Sequence, residues 1–437
     1  MLHYCRKLVL GGMIASPLKP PQAIAIILKH TQATFMDTLT GKKHSLSQQT
    51  IATTVELFCG IGGFRIAADK RNIRTVWAND ICPKACKVYR TQFGDAELRQ
   101  GNINELAHEI PPHELLTAGF PCQPFSSAGK KEGVRDPRGN LFEVIVDILH
   151  RHKPRFFILE NVKRLLSMEE GTHFAKILSR LASLDYTIEW RLVNAMHFGL
   201  PQNRQRIVIL GVLGNDTQVD FPSIRLASTQ NLSDLPESNF KTLTNFESWM
   251  KIEAHNKRFP TWGVASDGRF IGYDFAQFSG TMPRVPLRKV IKSNVDPQFD
   301  FTESTLNRLK DSTPINSFVQ GVQILYNQVG GARMGYTVFG IDGVAPTLTS
   351  TTSRHYERYK IGNQYRRLTN VEYARIQGFP DEHCVGISIY DQYPLFGNAV
   401  PPVMVGWVMD CILQNQVAVM TTPKFEQLSL FSIPNAF

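Results

Sequence analysis

Thr53-Thr54-Val55-Glu56-Leu57-Phe58-Cys59-Gly60-Ile61-Gly62-Gly63-Phe64-Arg65 reads as a strand, a glycine turn and the start of a helix. The β-branched and apolar residues 53–58 suit a buried strand. Gly60, Gly62 and Gly63 let the backbone approach a ligand, and the helix that follows offers its N–H groups to a negative group. Arg74 to Ala78 predicts a second strand. Asp80 closes it, 20 residues after Gly60, where a carboxylate can bond ribose hydroxyls. Arg65 stands where the dinucleotide fingerprint requires its third glycine. A cofactor with adenosine but no pyrophosphate, such as S-adenosylmethionine, fits this loop better.

The alternation continues outward. Cys82 to Gln92 predicts a helix, and Leu115 to Ala118, Phe156 to Leu159 and Ile207 to Leu210 predict strands. Leu141, Val144, Ile145, Ile148 and Leu149 recur at helical spacing, as do Phe174, Ile177, Leu178 and Leu181. Met404, Trp407, Val408, Cys411 and Ile412 form a last amphipathic helix. Strands alternating with helices predict an α/β fold with a doubly wound, mostly parallel sheet. From about residue 222 to 365 the periodicity weakens, and Pro, Gly, Ser and Asn multiply. This stretch predicts a second, smaller and irregular domain.

At 437 residues with 43% apolar and 20% charged content, the chain can bury a large core. No uninterrupted apolar run reaches membrane-spanning length, so no membrane partner is expected. The net charge of +10 favours a polyanionic partner. Half of it sits in residues 1–50, with six Lys/Arg against one Asp. Seven scattered cysteines suit a reducing, cytoplasmic setting. Cys82 and Cys86 lack a partner pair at zinc spacing. They are expected to be packing residues, and no metal is expected.

Three segments carry chemistry. Gly119-Phe120-Pro121-Cys122-Gln123-Pro124-Phe125-Ser126 places one thiol between two prolines just past a strand, on a stiff loop. Cys122 is a candidate nucleophile. Glu160-Asn161-Val162 follows another strand; buried there, Glu160 would hold its proton near neutral pH. Arg204 and Arg206, in Pro201-Gln202-Asn203-Arg204-Gln205-Arg206, alternate on an extended segment suited to gripping an anion.

Together these segments resemble the DNA cytosine-5 methyltransferases of bacterial restriction–modification systems. The resemblance rests on Glu56 to Arg65, Gly119 to Ser126, Glu160 to Val162 and Pro201 to Arg206, then Arg367 to Pro380 and Phe396 to Val400, in the family's order. It implies an S-adenosylmethionine-dependent, Rossmann-like enzyme that methylates carbon-5 of a flipped-out cytosine in a specific duplex sequence. In it Cys122 attacks carbon-6, Glu160 serves ring nitrogen 3, Arg206 orients the cytosine carbonyl and holds Glu160, and Arg204 supports the base or its phosphate. The cofactor positions that match are Phe58, Gly60, Ile61, Gly62, Gly63, Phe64, Asp80, Ile81, Asn102, Ile103, Pro121, Leu141, Asn398 and Val400. Asn102 stands where the family usually has Asp, and Ala399 where it often has Ser.

The glycine-rich and basic loop after Cys122 is suited to closing over the extruded base. Gln123, Ser126, Lys130, Lys131 and Arg135 are expected DNA contacts there. Specificity is expected from residues 222–380, with Arg333, Arg354, Arg358 and Lys360 as phosphate or guanine contacts. Residues 351–380 carry six Lys/Arg against two acids. The expected organisation is an extension, 1–51, that packs poorly; a catalytic and cofactor-binding domain, 52–221; a target-recognition domain, 222–380; a return to the catalytic domain, 381–420; and a tail, 421–437. The resemblance further implies a monomer that acts on double-stranded DNA, paired with a restriction endonuclease. Alternatives are a tRNA cytosine-5 methyltransferase and a DNA-binding relative without catalysis; Arg65 disfavours a nicotinamide dehydrogenase.

Overall fold

The computed structural model describes residues 51–121, 141–214, 241–243, 257–266, 269–275, 282–310, 312–327, 337–349 and 358–413. These belong to one compact unit, Gln48–Gln230 with Phe240–Phe437. The N-terminal extension lies outside them, except Ile51, which is buried.

Five parallel strands begin the sheet: β1 (Thr53–Leu57), β2 (Arg74–Asp80), β3 (Leu98–Gln100), β4 (Leu115–Gly119) and β5 (Phe156–Val162). β6 (Tyr186–Asn194) and β7 (Gln205–Leu213) follow, and β7 runs antiparallel between β5 and β6. The order β3-β2-β1-β4-β5-β7-β6 reverses between β1 and β4. In open α/β sheets the crevice beyond the carboxyl ends at such a reversal is where ligands bind.

Helices cover both faces because the strands are apolar on both. Along β5, Phe157 and Leu159 pack with Phe142, Ile145 and Leu149 of α4 (Leu141–His152) and with Phe174, Ile177 and Leu181 of α5 (Thr172–Ala182). Phe156 and Ile158 face the other way. They meet Phe64 and Ala67 of α1 (Gly63–Asp69) and Met404, Val405, Val408 and Ile412 of α9 (Pro402–Leu413). Between these lie α2 (Pro83–Phe93), α3 (Ile103–Leu106), α6 (Glu303–Lys310), α7 (Asn370–Gln377) and α8 (Ile389–Asn398). The stretch Ile389–Leu413 is long and apolar enough by composition to cross a membrane, but it breaks at Ala399 and most of it is buried in the protein. In α2, Cys86 is fully buried as expected; Cys82, also expected to pack, is exposed instead, because it caps the helix from outside.

The region beyond residue 221 divides between two sheets. β8 (Lys241–Leu243), β9 (Trp262–Ser266) and β10 (Arg269–Tyr273) extend the first sheet from β6 in the order β9-β10-β8, all antiparallel. A second, five-stranded sheet holds β11 (Thr313–Val319), β12 (Val322–Asn327), β13 (Thr337–Phe339), β14 (Arg358–Ile361) and β15 (Gln364–Arg366). Its core joins Val322, Phe339 and Tyr359 to Tyr373 and Ile376 of α7 and Phe396 of α8, and reaches Ile61 of the glycine loop.

Candidate active site

The crevice between β1 and β4 is walled by the glycine loop on one side and the end of β4 on the other. Phe58, Gly60 and Gly62 take left-handed φ values of 53°, 54° and 84°, which compress the turn from strand to helix. Gly63 leaves no room for a side chain: a Cβ would lie 2.2 Å from the Val400 carbonyl oxygen. At Gly60 a Cβ would meet nothing within 4 Å, so open space lies over the loop. Asp80 is tied in, accepting from the Gly60 N–H at 2.8 Å and the Cys82 N–H at 2.7 Å. Burial nevertheless raises its pKa. Beside it Ile81 is 69% exposed, an apolar platform next to a carboxylate.

Not every expected cofactor residue offers its side chain. Ile61, Phe64 and Ile103 are buried in three different cores, so only their backbones can face the crevice. Asn102 caps α3, its Oδ1 accepting from the Asn104 N–H at 3.1 Å, which leaves its amide donor for other partners. Leu141 is half-buried at the start of α4, while Pro121 and Asn398 are exposed. Val400 links the two walls, because a Cβ on Gly119 would sit 3.1 Å from its Cγ2.

Glu160 lies in register with Gly119 of β4 and with Val208 of β7. The sheet continues two residues past it, so it is a strand residue and is 7% exposed. Its Oε1 sits 3.0 Å from Arg206 Nε, a close ion pair off the axis of a good hydrogen bond. Burial raises the Glu160 pKa, and the guanidinium groups of Arg206 and Arg204 pull against that rise. The adjacent Asn161 donates from Nδ2 to the Phe120 carbonyl at 2.9 Å. This bond pins the backbone just before Pro121.

Arg204 is placed differently from the expected base or phosphate contact. It is 1% exposed. Its Nη1 donates to Leu348 O at 3.0 Å, and its Nη2 to Gly397 O at 2.9 Å and Ala399 O at 3.0 Å. Desolvation pushes its pKa well down. The group therefore staples two backbone segments through three carbonyls and reaches Glu160 only through its field. The reason is its place in the loop before β7, facing the interior, whereas Arg206 lies on the strand beside Glu160.

Cys122, Gln123, Ser126, Lys130, Lys131, Arg135, Arg333 and Arg354 lie outside the described residues. Arg358 opens β14, half-buried and paired in register with Val338. The Lys360 ammonium lies 5.9 Å and 5.6 Å from the ring centres of Tyr326 and Tyr365. Sequence reasoning missed Lys163 and Arg164, which line a cleft with Arg206. Their signal was two adjacent cations directly after Glu160-Asn161-Val162.

Known proteins share both the sequence pattern and the fold. The family model for C-5 cytosine-specific DNA methylases matches residues 52–414. The chain is 44% identical over 353 residues to the Type II methyltransferase M.NgoBI of Neisseria gonorrhoeae, covering 79% of this chain and 88% of that protein. It is 30% identical over 424 residues to the Type II methyltransferase M.BanI of Aneurinibacillus aneurinilyticus, covering 83% and 96%. The crystal structure of S. pombe Dnmt2 methyltransferase shares the fold, with a TM-score of 0.54 at 19% identity over 83% of this chain and 98% of that one. The glycine loop beside β4 and the buried glutamate at the end of β5 thus lie in a chain that belongs to the C-5 cytosine-specific DNA methylase family, the DNA cytosine-5-methyltransferases.

Proposed function

We propose that this chain methylates carbon-5 of a flipped-out cytosine in a specific duplex DNA sequence, with Cys122 as nucleophile and Glu160 as proton donor. One observation carries the reading: Glu160 is buried beside Arg206 and in register with Gly119, three residues before Cys122. Consecutive Cα atoms are about 3.8 Å apart, so the chain cannot take residue 122 more than about 11 Å from Gly119. That bound supports a reading in which the thiol and the acid serve one corner of the sheet.

Carbon-5 of cytosine is a poor nucleophile. The Cys122 thiolate adds to carbon-6, and the ring becomes an enamine. Glu160 gives its proton to nitrogen 3 as the electron pair arrives there, which burial favours by keeping the acid form. Arg206 holds Glu160 and orients the cytosine carbonyl; Arg204 acts through its three carbonyls, as a positioning residue. In the closing step the carbon-5 proton leaves to a base, the carbon–sulfur bond breaks, and nitrogen 3 returns its proton to Glu160. A free thiol has a pKa of about 8.5, so the site must stabilise the thiolate. Extruding the base costs a few kcal/mol, on the order of one stacked and paired nucleotide.

S-adenosylmethionine fits the open space over Gly60, with Asp80 and Ile81 for its adenosine. It supplies an electrophilic methyl group. The relatives are Type II methyltransferases, which supports a role as the modification partner of a restriction endonuclease. Bisulfite sequencing of DNA from cells expressing the wild-type chain or Cys122→Ser tests the reading, with tRNA from the same cells in parallel. Protected cytosines in one short DNA sequence, lost in the variant, are expected. Protection confined to tRNA, or surviving in the variant, refutes it.

A further inference from the structure

Next to the Glu160–Arg206 corner lies an open cleft of about 280 Å3 that includes Lys163, Arg164, Asn203, Gln205, Arg206 and Gln320. Small-molecule pockets are mostly apolar; the single aliphatic residue here is Val162. The cations gather around neutral oxygens. Lys163 Nζ donates to Gln205 Oε1 at 2.9 Å, and Arg206 Nη1 donates to the Gln205 carbonyl at 2.8 Å. Among the described residues no carboxylate lies within ion-pair distance of Lys163 or Arg164. Across the cleft, Asn203 Nδ2 donates to Gln320 Oε1 at 3.2 Å. Gln320 sits in the β11–β12 turn at a left-handed φ of 49°, so the second sheet forms the far wall. Arg206 has its counterion in Glu160, but the charges of Lys163 and Arg164, collected here without a paired carboxylate among the described residues, are arranged for an external anion.

We propose that this cleft binds backbone phosphates of the DNA strand whose cytosine enters the corner, with Lys163 and Arg164 neutralising one phosphate each. The proposal rests on the reading of the site given above. A strand that delivers its base to Glu160 must lay its phosphates beside it, and Lys163 is three residues on from Glu160. Such contacts fix the register of the strand without reading its sequence.

The test compares wild type with Lys163→Gln/Arg164→Gln on a mixed-sequence 30-base-pair duplex, across a salt series. Each lost phosphate contact lowers the slope of log affinity against log salt by about 0.9, so a drop of about 1.8 is expected. Lys163→Arg/Arg164→Lys should restore it, and S-adenosylmethionine binding, read by calorimetry, should match wild type in both. An unchanged slope overturns the proposal. Weaker binding at an unchanged slope also overturns it, and assigns the pair to base edges. A wild-type chain that binds no duplex refutes the DNA reading itself, whatever the variants do.

Discussion

Arg204→Met removes the donors to Leu348, Gly397 and Ala399 while keeping an unbranched side chain of comparable length. Each charge-assisted bond contributes about 1.5–3 kcal/mol, and each carbonyl left without a donor costs about 1–3 kcal/mol. Against this, the variant no longer buries a cation, which is itself unfavourable. Three unpaired carbonyls at about 1–3 kcal/mol each, offset in part by the cation no longer desolvated, give a net cost of about 3–5 kcal/mol, and that is the expected loss in urea denaturation. The loss is not purely structural. Gly397 and Ala399 lead into Val400, whose carbonyl lies against Gly63 and whose side chain lies against Gly119. Freeing that segment should weaken S-adenosylmethionine binding by about tenfold, or about 1.4 kcal/mol. Arg204→Lys, which keeps the charge but not the planar fork, should fall between the two. A variant as stable as wild type, with normal cofactor affinity and only a lower kcat, would refute this reasoning. It would make Arg204 a group that touches the reacting base.

Glu56 is buried, accepts from Tyr89 Oη at 3.2 Å, and has its pKa raised from 4.5 to about 8, chiefly by burial. It keeps its proton in the fold and loses it on unfolding, so stability falls with rising pH between those values; Glu56→Gln should gain about 2 kcal/mol on wild type between about pH 6 and about pH 8, by denaturation at each pH. Gly63→Ala places a methyl group 2.2 Å from the Val400 oxygen, so it should cost about 1–3 kcal/mol of stability and weaken cofactor binding in calorimetry. Glu160→Gln should lower kcat by about 10²–10⁴-fold with cofactor affinity unchanged. In wild type the raised Glu160 pKa means that kcat declines on the alkaline side, a decline the variant should lack in a pH–rate profile.

Local patterning made much of the fold legible. Strands β1, β2, β4, β5 and β7 and helices α2, α4, α5 and α9 lie where apolar runs and helical spacing place them. The tertiary sheet overruled those expectations at the ends of elements. Glu160 appeared to follow its strand, yet pairing with β4 and β7 carries the strand on to Val162. β6 was missed although its residues, Tyr-Thr-Ile-Glu-Trp-Arg-Leu-Val-Asn, alternate polar with apolar as a half-buried strand's do. Its polar residues are buried here, Glu189 accepting from Trp262 Nε1 at 2.8 Å and Arg191 lying 4.4 Å from the Phe275 ring centre. The second sheet pairs its strands in chain order, but β13, β14 and β15 are only three or four residues long, too short to show a period in a stretch rich in Pro, Gly, Ser and Asn.

The chain's own order of residues was enough to declare the chemistry: a proline-flanked cysteine, an acid after an apolar strand, a glycine turn and an arginine pair, each recognisable by residue type and spacing. Which arginine meets the acid and which holds the scaffold was decided only by folding. Arg204 and Arg206 are two residues apart and chemically identical, and nothing local separates them. One faces three interior carbonyls supplied by residues about 150 to 200 positions away, and the other faces a carboxylate on the neighbouring strand. Charge and hydrogen bonding act through space, so a side chain's role follows from what the fold brings within about 3 Å of it.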